Sequence, residues 1–185
     1  MKFLTTSLPG LYLVKLQPHF DERGWFARTF CKEEFNAAGI SLDFVQLNQS
    51  FNDTKGTFRG LHYQIPPFAE KKLVRCISGG ILDFVVDIRK GSPTFLQHTQ
   101  IELSAANRDM LLIPEGMAHG FLTLENNTSL IYHHTAFHNA SSARGLRHDD
   151  PRLSLAIPVG TLSVVSPRDL QYPFLSEAFC GLDLQ

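Results

Sequence analysis

The stretch from Arg59 to Cys76 reads RGLHYQIPPFAEKKLVRC, and it crowds an arginine, an imidazole and two adjacent lysines around Pro66-Pro67. An imidazole titrates near neutral pH, so His62 could take a carbon-bound proton without first being charged. Cations around it would suit an anionic substrate. The competing reading is plainer: a half-buried strand, a proline turn and a solvated basic edge. Other charged groups fit structural work. Asp83, Asp87, Arg89 and Lys90, in DFVVDIRKGSP, read as structural pairing and turn formation, and Asp149-Asp150 before Pro151 as loop capping. His133 and His134 are adjacent on a strand and face opposite sides, so they make a poor metal pair.

These side chains need a scaffold to converge. The 185 residues, 43% hydrophobic, are enough for one domain with a sizeable core, placed at 1–175 with 176–185 as a loosely attached C-terminal tail. A formal charge of −1 gives no global field for nucleic acid or an acidic membrane, so any anion site must be local. Cys31, Cys76 and Cys180 are widely spaced without a CxxC, which argues against disulfides and zinc and reads as reduced thiols in a cytoplasm. The N-terminal residues lack a continuous apolar h-region, and no segment approaches the length of a membrane-spanning helix.

Short runs of Val, Ile, Leu and Phe punctuated by Gly, Pro, Asn and Asp predict a β-rich sandwich or barrel. In LVRCISGGILDFVVDIR two apolar runs flank Gly79-Gly80, as a hairpin requires. Helical signals are few: Lys32 to Ala38, ending at Gly39, and a shorter piece around PRDLQYPFL. Neither is long enough to cover a parallel sheet.

Four phrases carry a specific likeness: DERGWFARTF, the run from QLNQSF through RGLHYQ and KLVR to GSPTF, LLIPEGMAHGFL and RHDDPRLSLAIP. Together they resemble the dTDP-4-dehydrorhamnose 3,5-epimerase family from about Leu4 to Leu175. The resemblance implies an all-β, cupin-type jelly-roll barrel with a few short helices, and a homodimer with exchanged N-terminal strands. The implied substrate is a nucleotide-diphosphate 4-keto-6-deoxy sugar, epimerised at C3, C5 or both without cofactor or metal, on the way to a deoxysugar for a polysaccharide. Inverting such a centre needs a base on one face, an acid on the other and stabilisation of the enolate between them.

By the same resemblance His62 is the base, Asp169 the carboxylate that fixes its tautomer, Tyr132 the acid and Lys72 the cation near the enolate oxygen. Lys71, on the opposite face of the strand, reads as a solvated surface charge. Arg23 and Arg59 are expected on the diphosphate with His119 nearby. Gln46 and Asn48, two apart on a strand and so on one face, fit the family's polar pair, and Phe26 an aromatic wall. The nucleotide end departs from the family pattern. Arg28 stands where an acidic residue is expected, His138 replaces a stacking aromatic and Ala143 a glutamate. Thymine presents an N–H donor that suits a carboxylate, whereas cytosine presents acceptors that suit an arginine. Arg28 therefore predicts a cytidine-diphosphate sugar as the tighter ligand, with a guanosine form second.

Two rival readings remain at this stage. A metal-dependent cupin isomerase or dioxygenase would account for PEGMAH, but its first ligand phrase is missing, because His62-Tyr63-Gln64 stands where a spaced histidine pair belongs. A non-catalytic carbohydrate-binding barrel would not need His62, Tyr132, Asp169 and Lys72 together.

Overall fold

The alternating apolar runs become strands almost throughout the structure, a computed structural model that describes residues 1–184. In chain order the elements are β1 Lys2–Thr5, β2 Tyr12–Lys15, β3 His19–Asp21, β4 Gly24–Phe26, α1 Lys32–Ala37, β5 Gln46–Asn52, β6 Thr57–Gln64 and β7 Lys72–Ser78. There follow β8 Gly80–Asp87, β9 His98–Ser104, β10 Met110–Ile113, β11 Met117–Thr123, β12 Thr128–His134, β13 Ala143–Gly145, β14 Val164–Val165 and α2 Pro167–Leu170. One sheet runs β1-β2-β10-β7-β12-β5 and the other β13-β6-β11-β8-β9, with β14 lying parallel to β6. The remaining pairs are antiparallel, and the two sheets face each other as the jelly roll of a cupin-type barrel.

Strand alternation divides the apolar residues into layers. Val74, Cys76 and Leu130 of the first sheet meet Ile81, Val85 and Phe121 of the second to form the core between them. Behind the second sheet, Phe58, Phe84 and Val86 are covered by Leu153, Leu175 and Phe179. Behind the first, Leu73 and Met110 are covered by Phe35 of α1. A six-residue helix is marginal by itself. What holds α1 is the complete burial of Phe35, worth roughly 1.5–3 kcal/mol.

Two expectations change. Gly79-Gly80 does not close a hairpin. β7 pairs with β10 and β12 in one sheet while β8 pairs with β9 and β11 in the other, so the glycines turn the chain from sheet to sheet. Gly79 has φ +71°, and a Cβ there would run into Thr128 Oγ1, which leaves no room for a side chain. The C-terminal segment is also not loose: the Leu182 amide donates to the Ile88 carbonyl, the Lys90 amide donates to the Leu182 carbonyl, and Phe179 stacks near Phe95 at 5.9 Å. Among the described residues no helix is long and apolar enough to cross a membrane.

Asp87 and Arg89 form the structural pairing expected of them. Arg89 reaches the Asp87 carboxylate with Nε at 2.9 Å and Nη2 at 2.7 Å, and the Ser92 and Thr94 hydroxyls each donate to it at 2.6 Å. Burial alone would raise this carboxyl; the guanidinium and hydroxyl bonds outweigh it and hold the pKa at about 2, below the ordinary 3.8. A depressed folded-state pKa stabilises the fold above the unfolded value and loses that contribution as pH falls through the folded one. Acid titration followed by circular dichroism should therefore show wild-type stability dropping between about pH 4 and pH 2, where the Asp87→Asn variant, weaker at neutral pH, changes less.

Candidate active site

Strict alternation along β6 would send Arg59 and His62, three residues apart, to opposite faces. The structure brings both into one cavity by a bulge: His119 of β11 sits opposite His62, and Phe121 opposite Arg59, so Gly120 alone faces Gly60 and Leu61. The extra residue on β6 resets the phase of the strand. Gly60 is required there. Its φ is +127°, and a Cβ would lie 2.5 Å from the Gly120 Cα. Its amide donates to Asp169 Oδ2 at 3.3 Å, which ties the bulge to the second feature of the site.

Asp169 sits on α2, capped by the Ser166 hydroxyl, which accepts from the Asp169 amide at 3.1 Å. Its other carboxylate oxygen meets His62 Nε2 at 2.7 Å. Burial pushes the Asp169 pKa up, but the His62 contact, the Gly60 amide and Ser166 prevail and hold it below its ordinary value. An ionised carboxylate accepts, so the His62 proton belongs on Nε2 and the free lone pair on Nδ1, the tautomer of an oriented base. The imidazole edge packs near Tyr172 at 6.3 Å, and Tyr172 in turn fills the space that a side chain at Gly145 would take.

The facing wall comes from the first sheet. Tyr132 on β12 shares a hydrogen bond of 2.8 Å with Ser50 on β5, and its ring lies 6.5 Å from that of His119 across the cavity. Burial drives the Tyr132 phenol well above its ordinary pKa, so it stays protonated and available as a donor. Beside it, Lys72 on β7 reaches Glu70 at 3.2 Å. His119 Nε2 meets the fully buried Asp83 at 3.0 Å, and Arg59 Nε donates to Asn52 at 2.6 Å. The cavity, about 400 Å³, is also lined by Arg168, Ser166 and Asn48.

Thus His62, Lys72, Tyr132, Asp169, Arg59, His119 and Asn48 converge as the sequence implied. Gln46 lies just beyond, with Nε2 donating to Asn48 at 3.2 Å and Oε1 accepting from the His138 amide at 3.1 Å. His138 and Ala143 line an adjoining cavity of about 180 Å³ that shares His62 and Lys72 with the first. Arg23, Phe26 and Arg28 do not reach the pocket of their own chain. Arg23 pairs with Asp21 inside the β3-β4 hairpin, Phe26 is 76% exposed, and Arg28 binds Glu34 at 2.9 Å. Lys71 points away, donating to the Ser41 carbonyl, and His133 packs on Phe44 behind the sheet.

The sequence reading gave no site role to Ser50, Glu70, His134 or Arg168, and it took Asp83 for structural pairing, a pairing that the structure shows is made with His119. Alternation from Asn48 could have found Ser50, and alternation from Tyr132 could have found His134. Nothing local marks Glu70, which lies in the irregular connection just before β7. Among the described residues no three His, Cys, Asp or Glu side chains cluster as metal ligands, and His62 and His119 each meet a carboxylate through Nε2.

The family model of the dTDP-4-dehydrorhamnose 3,5-epimerases matches residues 5–177. A curated epimerase of that name from Sinorhizobium fredii is 40% identical over 177 residues, covering 96% of this chain and 91% of its own. The crystal structure of the Bacillus anthracis epimerase with TDP and PPi bound superposes with a TM-score of 0.91 at 37% identity, covering 94% of this chain and 99% of that one. The Legionella pneumophila epimerase in complex with dTDP-4-keto-L-rhamnose gives 0.91 at 34%, covering 100% and 98%. Fold, wall-to-wall chemistry and nearly full-length similarity agree, and the chain belongs to the dTDP-4-dehydrorhamnose 3,5-epimerase family.

Proposed function

We propose that this epimerase acts on a thymidine-diphosphate 4-keto-6-deoxyhexose, with His62 as base, Tyr132 as acid, Lys72 as the cation at the enolate oxygen and Asp169 orienting His62. The observation that carries the reading is the placement of an oriented imidazole and a protonated phenol on opposite walls of one cavity. The 4-keto group acidifies the hydrogens on C3 and C5. His62 removes one, the electron pair moves into an enolate whose oxygen faces the Lys72 ammonium, and Tyr132 returns a proton to the other face of the carbon. Stabilising charge that develops only in the transition state lowers the barrier more than binding the ketone itself. Arg59, His119 and Arg168 supply the cationic and donor surface for the diphosphate.

Arg28 bears on which nucleotide is bound. The cytidine expectation needed a free guanidinium, whereas Glu34 engages it here. That engagement, and the thymidine nucleotides bound by the relatives, support the thymidine form. Arg23, Phe26 and Arg28 complete the pocket of a second copy in this reading. β3 and β4 pair only with each other among the described residues and present Phe20 and Phe26, 67% and 76% exposed, which supports exchange of hairpins in a homodimer. Three free cysteines support a reducing, cytoplasmic setting.

The test is incubation with the 4-keto-6-deoxy sugar linked to thymidine, cytidine or guanosine diphosphate in deuterated water, with and without chelator. Deuterium should enter C3 or C5 fastest in the thymidine form and at the same rate with chelator. Binding without label would leave a carbohydrate-binding module, and metal-restorable turnover would favour the metal-dependent cupin.

A further inference from the structure

Five hydrogen bonds run in series from the adjoining cavity to Lys72, and their direction is fixed from one end. The His138 backbone amide can only donate, so Gln46 must turn its oxygen to it, at 3.1 Å, and its nitrogen to Asn48 Oδ1, at 3.2 Å. Asn48 then has only its Nδ2 left for His134 Nε2, at 3.3 Å. A nitrogen that accepts cannot carry the proton. The proton sits on His134 Nδ1, which donates to Glu70 Oε2 at 2.8 Å, while Lys72 Nζ donates to the other oxygen of the same carboxylate at 3.2 Å. The last three side chains are shielded from water, with 11% of His134, 7% of Glu70 and 12% of Lys72 exposed.

We propose that Glu70 and His134 are positioning residues for Lys72: Glu70 aims the ammonium into the cavity, and His134, held as its Nδ1–H tautomer by Asn48, aims Glu70. This rests on the reading of Lys72 as the cation at the enolate oxygen. A lysine this far from water needs a counter-charge in a fixed place, because its long stem otherwise spreads the charge over many rotamers. His134 occupies one Glu70 oxygen and leaves Lys72 a single contact, so two of the three ammonium hydrogens remain for the substrate. Burial raises the Glu70 pKa, but the His134 bond and the Lys72 charge outweigh it and keep the carboxyl below its ordinary value. The strand register sets the pieces together: His134 stands directly opposite Lys72 in the β12–β7 pairing and opposite Gln46 in the β12–β5 pairing.

The experiment uses full-length protein labelled with ¹⁵N-histidine, His134 being assigned by the signal lost in His134→Asn. Two-bond proton–nitrogen correlation should show His134 at neutral pH as the Nδ1–H form, the minor tautomer of free imidazole. An Nε2–H or doubly protonated His134 would overturn the series. In kinetics, Glu70→Gln and His134→Ala should lower kcat roughly 10- to 100-fold, as small displacements of a reacting group do. KM should change less than about threefold, the signature of an interaction made in the transition state. His134→Asn, whose amide nitrogen replaces Nδ1, should recover most of the loss seen in His134→Ala. Unchanged kcat in both, or failure of the asparagine to rescue, would overturn the positioning role. The tautomer is read without substrate, so an inactive wild-type protein would instead overturn the part assigned to Lys72 and leave the tautomer to decide the series.

Discussion

His62→Ala should abolish most deuterium entry at the reacting carbon, by roughly 10²–10⁴-fold, since it removes the proposed base. Asp169→Asn should cost less. The amide keeps a partner for the ring, but it ends the charge stabilisation of the imidazolium and can donate to Nε2, which favours the wrong tautomer. Wash-in followed by proton NMR of the sugar measures both, with nucleotide binding as the control for an intact pocket. The control matters because removing His62 takes a hydrogen-bond partner from a carboxylate only 4% exposed, which retains the Gly60 amide at 3.3 Å and the Ser166 cap. Near-normal wash-in in the His62 variant would remove the proposed base, and a larger loss in the Asp169 variant than in the His62 variant would reverse the roles assigned to them.

The sequence disclosed the two ends of this argument better than its middle. The β-rich class follows from short apolar runs and turn residues, and His62, Tyr132, Lys72 and Asp169 follow from phrase likeness; the structure gathers all four in one cavity. What alternation could not show is the phase shift at Gly60. A rule of two per face separates Arg59 from His62, and only the pairing of β6 with β11 reveals the extra residue. The same limit explains Gly79-Gly80, where local pattern is the same for a hairpin and for a corner between sheets. Glu70 and His134 are 64 residues apart, and their pairing is set by β7 lying beside β12, a long-range fact with no local signature.

Tyr132→Phe should separate two quantities that His62→Ala lowers together. The phenylalanine keeps the ring and its packing, so the fold loses one hydrogen bond to Ser50, worth about 1 kcal/mol. Proton removal by His62 on the facing wall persists, and the enolate still forms against Lys72. Protonated His62 exchanges with solvent and can return deuterium to the face it came from, so label enters without inversion. The opposite face has lost its donor. Net epimer formation should therefore fall by roughly 10²–10³-fold while wash-in falls by less than about tenfold. Both are read from one reaction in deuterated water, label from loss of the proton signal and inversion from the appearance of the epimer. The ratio is the informative number, because a general weakening of the pocket lowers both and leaves it unchanged. Equal losses would show that Tyr132 acts before or during proton removal, as an enolate hydrogen-bond donor beside Lys72, and the acid on that wall would have to be sought elsewhere. The raised pKa of the phenol bears on the result: burial keeps the group protonated in the resting site, as a proton donor on that wall must be.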